Sequence, residues 1–99
     1  MATVDLHPRA VEEARQARRR YARVSQPLAA RFVAELDAGI AGVGATPASY
    51  SPHLDGTRFY RLPSFPYLLI YLETDPNTVL VLAVMHTSRR PGYWRRRLP

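Results

Sequence analysis

The residues best suited to chemistry lie near the C-terminus, in the segment HTSRRPGYWRRRLP at positions 86–99. This segment contains one histidine, one tyrosine, one tryptophan and five arginines, and it has no acidic residue. Cleavage of RNA by attack of the 2′-hydroxyl needs a base, an acid and a cation on the phosphate. His86, Tyr93 and Arg89 are side chains of these types, and they are therefore the candidate catalytic residues.

The remaining arginines and the tryptophan of this segment indicate binding. Arginine offers a planar fork of donors to phosphate or carboxylate, and its aromatic neighbours can stack on bases. Because two aromatic rings in a disordered tail would leave apolar area in water, we expect Tyr93 or Trp94 to pack on the sheet edge and anchor the tail. A solvated, partly disordered tail is the alternative. The candidate binding residues here are Arg90, Trp94, Arg95, Arg96 and Arg97.

Three further side chains have both functional and structural interpretations. His86 can act as an acid or base, or it can hydrogen-bond a backbone carbonyl and fix the tail. Arg58 and Arg61 are three residues apart in a predicted strand, so they should point to opposite faces. One at most should face the helices, where it would need a partner. Both are candidate binding residues, and Arg61 also fits a solvated or ion-paired surface position.

Composition limits the class of protein. The 99 residues predict a single domain, 1–99, with a basic tail at 87–99. The net charge is +6, all fourteen basic residues are arginine, and residues 51–99 carry +4 of that charge. A basic surface favours nucleic acid or an acidic protein segment as partner. No apolar run is long enough for a membrane span and no signal pattern opens the chain, so we expect a cytoplasmic protein.

The sequence predicts no metal site and no cofactor. Cysteine is absent, which leaves no thiolate ligands. His7 and His53 are isolated, with no acidic companions at ligand spacing. There is also no glycine-rich phosphate loop.

Hydrophobic periodicity predicts the elements that must position these residues. Residues 3–6 fit a short strand. A helix beginning at Pro8 has one apolar stripe, and Ser25-Gln26-Pro27 interrupts it before a second helix that ends near Gly44. The stripe consists of Ala10, Ala14, Ala17, Tyr21 and Val24.

Three strands should follow, at 57–62, 67–73 and 79–86, with a turn at residues 75–77 between the last two. The strands at 67–73 and 79–86 are apolar on both faces, as covered central strands are. The predicted fold class is α+β in the order β-α-α-β-β-β: an N-terminal strand and an antiparallel helical hairpin packed on a small antiparallel β-sheet.

Several short motifs occur in a fixed order along this framework. After the helical hairpin come Gly56-x-Arg58, then Phe65-Pro66-Tyr67 leading into a strand with Tyr71, then Ala83-Val84-x-His86-x-x-Arg89, Pro91 and Tyr93-Trp94. In this order and spacing they resemble the RelE/ParE toxin superfamily over nearly the whole chain. The resemblance implies the toxin half of a type II toxin–antitoxin module, held inactive in a hetero-oligomer by a cognate antitoxin with an acidic or extended segment.

The superfamily divides by target. RelE-like members cleave mRNA on the ribosome without a metal, and ParE-like members poison DNA gyrase. Here Leu68 follows Tyr67 where nucleases commonly have arginine, and we expect no glutamate near the strand ends to act as a base. We therefore expect gyrase poisoning, with mRNA cleavage as the alternative. A non-enzymatic nucleic-acid-binding module and an inactive toxin that still binds its antitoxin are further alternatives.

Overall fold

Two α-helices and five β-strands form the framework of the chain in a computed structural model, which describes residues 1–99. Their bounds, in chain order, are β1 Thr3–Leu6, α1 Pro8–Ala22, α2 Gln26–Ala45, β2 Ser51–Pro52, β3 Arg58–Arg61, β4 Tyr67–Asp75 and β5 Thr78–His86. The predicted α+β order is confirmed. β2 is an addition, because a strand of two residues is too short to show alternation. Neither helix is long and apolar enough to cross a membrane.

The helix ends follow local capping chemistry. The His7 side chain accepts a hydrogen bond from the Arg9 backbone N–H at 3.0 Å, and Pro8 occupies the first helical position of α1. The Ser25 hydroxyl accepts from the backbone N–H of Leu28 at 3.2 Å at the start of α2. The predicted break is confirmed. The predicted stripe is wrong at its last member, because α1 ends at Ala22 and Val24 lies 74% exposed in the turn.

The sheet has the strand order β1-β5-β4-β3-β2. β3 pairs antiparallel with β4 and β4 with β5, as predicted, and the added β2 pairs antiparallel with β3. β1 instead runs parallel to β5, with Thr3 opposite Thr78. The sheet is therefore mixed, with one parallel edge. Alternation within a strand shows which face is buried and carries no information about the direction of its partner.

The helices cover one face of the sheet with an aromatic cluster. Phe32 of α2 lies 5.3 Å from Phe65 and 5.4 Å from Tyr67, measured between ring centroids, and Tyr21 of α1 lies 4.8 Å from Phe65. These edge-on pairs add to the burial of apolar area beneath the helical hairpin. α2 comes close to β3 at Gly39, where an added Cβ would lie 2.6 Å from the Tyr60 ring.

The C-terminal tail, residues 87–99, covers the opposite face. Trp94 is fully buried there in a cluster with Ile70, Leu82, Ala83 and Met85. The expectation that an aromatic residue anchors the tail is confirmed, but the indole packs on the face of the sheet and not on its edge. The central strands are apolar on both faces, so the second face also needs a cover.

Candidate functional site

The edge of β5 near its C-terminal end is completed by side chains. β1 stops at Leu6, which pairs with Val81, so β5 has no strand neighbour on that side beyond this residue. The Val84 N–H donates to Glu13 Oε1 at 3.0 Å, and Arg97 Nη1 donates to the Leu82 carbonyl at 3.0 Å. A residue of α1 and a residue of the tail thus replace the missing strand.

These two residues also bind each other and Tyr93. Arg97 makes a bidentate pair with Glu13, with Nη1 2.9 Å from Oε1 and Nη2 3.0 Å from Oε2. The arginine and glutamate side chains are 12% and 13% exposed. The Tyr93 hydroxyl donates to Glu13 Oε2 at 2.6 Å. We call Glu13, Tyr93 and Arg97 the tail anchor, because they join the C-terminal segment to α1.

The tail anchor determines the state of the Tyr93 hydroxyl. Burial raises the pKa of Tyr93 well above its usual value, and the hydrogen bond to Glu13 together with the glutamate charge raises it further. The charges of Arg97 and Arg89 oppose this rise. The hydroxyl therefore stays protonated to a higher pH than a free tyrosine does, with its proton directed at a carboxylate.

Glu13 is the important residue that the sequence analysis missed. The expectation of no glutamate near the strand ends is wrong in space, since Glu13 of α1 reaches Val84 near the end of β5. A signal was present: Glu13 lies three residues after Ala10 and four before Ala17, both buried, so it falls on the buried stripe of α1. An acidic residue at such a position needs a buried partner.

A small cavity of about 140 Å³ lies between α1 and the end of β5. We call it the His86 pocket; its lining consists of Glu13, Gln16, Ala17, Arg20, Tyr67, Val84, His86, Ser88 and Arg89. Two of the three predicted catalytic residues, His86 and Arg89, meet here. The third, Tyr93, contacts Arg89 but does not line this pocket.

His86 is held by its own neighbours. Its Nδ1 accepts a hydrogen bond from the Ser88 backbone N–H at 3.0 Å, and Ser88 Oγ lies 2.7 Å from the same atom. This differs from the expected bond to a backbone carbonyl. Because Nδ1 accepts, the neutral imidazole carries its proton on Nε2. The ring also packs edge-on against Tyr67, with 5.1 Å between centroids.

Tyr67 and Arg20 close the other side of the His86 pocket. Arg20 Nη1 donates to the Tyr67 hydroxyl at 3.3 Å. Burial raises the pKa of Tyr67, while the charge and hydrogen bond of Arg20 lower it. The pocket thus places two guanidinium groups, of Arg20 and Arg89, near the His86 imidazole.

A larger cavity of about 610 Å³ adjoins the first and shares Arg89 with it. We call it the arginine groove; its lining consists of His7, Arg9, Arg89, Arg90, Gly92, Tyr93, Arg95, Arg96 and Arg97. The predicted binding residues of the tail, except the buried Trp94, therefore meet in one place. The chain turns beside them at Gly92, whose φ of 84° favours glycine.

Arg58 and Arg61 lie outside both cavities. As expected they point to opposite faces, and Arg58, on the helix side, has partners: Nη1 donates to the Tyr50 carbonyl at 2.7 Å, and Nε lies 4.0 Å from Glu73. Arg61 is exposed. On β4, Arg58 pairs with Tyr71 and His86 pairs with Tyr67. Tyr71 and Tyr67 are four residues apart along the strand, which separates them by about 13 Å.

Comparisons with known proteins agree with this fold. Residues 4–91 match the family described as "ParE toxin of type II toxin-antitoxin system, parDE". A solved structure titled "Chromosomal ParDE TA system from P. aeruginosa" is similar in fold, with a TM-score of 0.75 and 14% sequence identity over 89% of this chain and 98% of that one. A comparison with curated proteins gave no match. Because the family match covers most of the sequence, this chain belongs to the ParE toxin family of type II toxin–antitoxin systems.

Proposed function

We propose that this toxin inhibits growth by poisoning DNA gyrase, and that a cognate antitoxin keeps it inactive in a hetero-oligomer. Membership of the ParE family supports the gyrase target, because ParE-like members of the superfamily resembled by the sequence act on gyrase. The similar solved structure is titled as a ParDE toxin–antitoxin system, which supports the antitoxin partner. A net charge of +6 suits an acidic antitoxin segment.

The observation that carries this proposal is the tail anchor. An RNase of the RelE type needs a free acid or base beside the phosphate. Tyr93 directs its proton to Glu13 at 2.6 Å, and Glu13 in turn is bound by Arg97 and Val84. Two of the groups that would have to move protons are thus engaged in holding the tail on the sheet. A binding mechanism needs no proton transfer.

Cleavage of mRNA is the second candidate function, because one specific feature favours it. The His86 pocket places the imidazole beside Arg20 and Arg89, which could hold a phosphate. In this alternative the His86 Nε2–H would donate a hydrogen bond to a phosphate oxygen, since Nδ1 accepts from Ser88. The pocket offers no free group for proton transfer, because Glu13 and Tyr67 both have partners.

The experiment compares the two targets with the same purified toxin. One reaction contains DNA gyrase, ATP and relaxed plasmid, and supercoiled and linear DNA are measured. The other contains ribosomes with a defined mRNA, and cleavage is mapped by primer extension. His86→Asn is the informative variant, because the asparagine Oδ1 can still accept the Ser88 N–H while the titratable imidazole is removed. We expect the toxin to stop supercoiling by gyrase and to leave the mRNA intact. His86→Asn should inhibit gyrase as strongly as the wild type.

A contrary result is equally clear. If wild-type toxin cleaves mRNA, leaves gyrase unaffected and loses cleavage in His86→Asn, the mRNase mechanism replaces the gyrase mechanism. Pulse-labelling of induced cells supplies an independent readout, since gyrase poisoning stops DNA synthesis first and mRNA cleavage stops protein synthesis first.

A further inference from the structure

We infer that the arginine groove binds the phosphodiester backbone of a nucleic acid. The inference extends the proposed function, since gyrase works on DNA, but it does not depend on that function and is tested without gyrase. It assigns a ligand to a surface that shares Arg89 with the His86 pocket, and this binding needs no catalysis in that pocket.

The charges of the groove fall into two groups. Two of its six arginines have acidic partners: Arg97 pairs with Glu13, and Arg95 pairs with Asp55. The other four form no ion pair and have exposed side chains; they are Arg9, Arg89, Arg90 and Arg96. The two paired arginines order the tail, and the ordered tail holds its three unpaired arginines beside Arg9 of α1.

Four uncompensated charges in one concave surface repel one another. The groove lining contains no acidic side chain. The positive end of α1 also opens here, at His7 and Arg9, and adds to the positive potential. A polyanion that lies in the groove relieves this repulsion, and a phosphate chain supplies negative charges at regular spacing.

The lining also favours phosphate over an acidic peptide. Protein segments bind chiefly through apolar anchors that enter desolvated pockets. Tyr93 is the one hydrophobic residue in the groove, and guanidinium groups already lie against its ring: Arg89 at 4.0 Å and Arg97 at 5.1 Å from the centroid. A peptide would find no apolar anchor here. Phosphate contacts need only cations and donors, which fits this lining.

The test measures binding of purified toxin to two fluorescent probes, a 20-base-pair DNA duplex and a 20-nucleotide single-stranded RNA, at several salt concentrations. If each free arginine meets one phosphate of duplex DNA, log Kd should change with log salt by a slope of about 3 to 4. Between 50 and 200 mM salt the affinity should then fall roughly a hundredfold. The probe that binds more tightly at 200 mM salt identifies the nucleic acid.

The groove variant is Arg90→Ala combined with Arg96→Ala. It should lower the salt slope by about 2, because two phosphate contacts are lost. The matched control is Arg15→Ala combined with Arg23→Ala, which removes the same charge from exposed positions on and just beyond α1. The control should keep the wild-type slope. Thermal unfolding of both variants verifies that the fold is unchanged.

Three results would overturn the inference. In the first, neither probe binds at 50 mM salt. In the second, the control lowers the salt slope as much as the groove variant does, which would mean that net charge alone explains binding. In the third, the groove variant keeps its nucleic-acid affinity but loses binding to a polyglutamate peptide, which would identify the groove as an acidic-peptide site. If wild-type toxin inhibits gyrase and binds neither probe, the groove inference fails and the proposed function stands.

Discussion

Arginine is equally dense in two regions of the molecule, and the two use it differently. Residues 15–23, in α1 and just after it, and residues 89–97 in the tail each contain five arginines in nine positions. All five near α1 are exposed, and their one ion pair, Arg19 with Glu12, joins side chains that are 55% and 50% exposed. In the tail, Arg97 is 12% exposed and pairs with a glutamate that is 13% exposed.

The difference follows from what orders each backbone. The helix satisfies its own N–H and C=O groups, so its arginines are not needed to order the backbone, and all but Arg20, which donates to Tyr67, are free to extend into water. The tail has only a single helical turn, at Arg95–Arg97. It is ordered by side chains: Trp94 buries its ring on the sheet, and Tyr93 and Arg97 bind Glu13. Substitutions should therefore be costly at Tyr93, Trp94 and Arg97, which order the tail, and mild on the outer face of α1.

Removal of the tail's largest buried side chain should have the largest effect. Trp94→Ala should lower the free energy of unfolding by about 3 to 5 kcal/mol, because the fully buried indole leaves a cavity on the second face of the sheet. Val24→Ala, at the 74% exposed position after α1, should change it by less than about 0.5 kcal/mol. Urea denaturation gives both values. Equal, small losses would mean that the tail does not contribute to the core.

The two ion pairs permit the next comparison. Arg97→Ala leaves Glu13 without its bidentate partner and the Leu82 carbonyl without its donor, and should cost about 2 to 4 kcal/mol. Arg19→Ala removes an exposed pair and should cost less than about 1 kcal/mol. Urea denaturation in low and high salt separates the two, since only the exposed pair is strongly screened. A loss of under 1 kcal/mol for Arg97→Ala would contradict the anchoring role.

Much of this framework was predictable from local patterns. The apolar alternation and runs at 57–62, 67–73 and 79–86 located the main strands, and Ser25 with Pro27 located the helix break. The presence of Tyr93-Trp94 within a basic run indicated an anchored tail, because exposed aromatic area is unfavourable. These signals lie within a few residues of one another, and short-range physics determines them.

The pairings between distant residues were not predictable in the same way. Glu13 and Arg97 are 84 positions apart, and nothing near either one identifies the other. The parallel direction of β1 likewise depends on where the helical hairpin returns the chain. The structure brings His86 together with Arg89, and the tail arginines together with one another, while their roles in binding or catalysis stay predictions. The positions of Glu13, Arg20 and Ser88 beside His86 required the three-dimensional structure.

The smallest effect should appear at alkaline pH, where the two regions can be compared through their tyrosines. Burial raises the pKa of Tyr21 in α1 and, with added contributions from Glu13, that of Tyr93 in the tail. An unfolded tyrosine has a pKa of about 10, so above that pH the unfolded chain releases its protons first and the free energy of unfolding falls as pH rises.

Tyr93→Phe should therefore reduce this alkaline loss of stability more than Tyr21→Phe does, because Tyr93 has the larger set of contacts that favour its protonated form. At pH 8 Tyr93→Phe should lower the free energy of unfolding by about 1 kcal/mol, since Glu13 loses the hydroxyl donor. Urea denaturation from pH 8 to pH 11 measures both effects. If Tyr93→Phe loses stability with pH as steeply as the wild type, Glu13 does not hold the Tyr93 hydroxyl in solution. That hydroxyl would then be free to act as an acid beside Arg89.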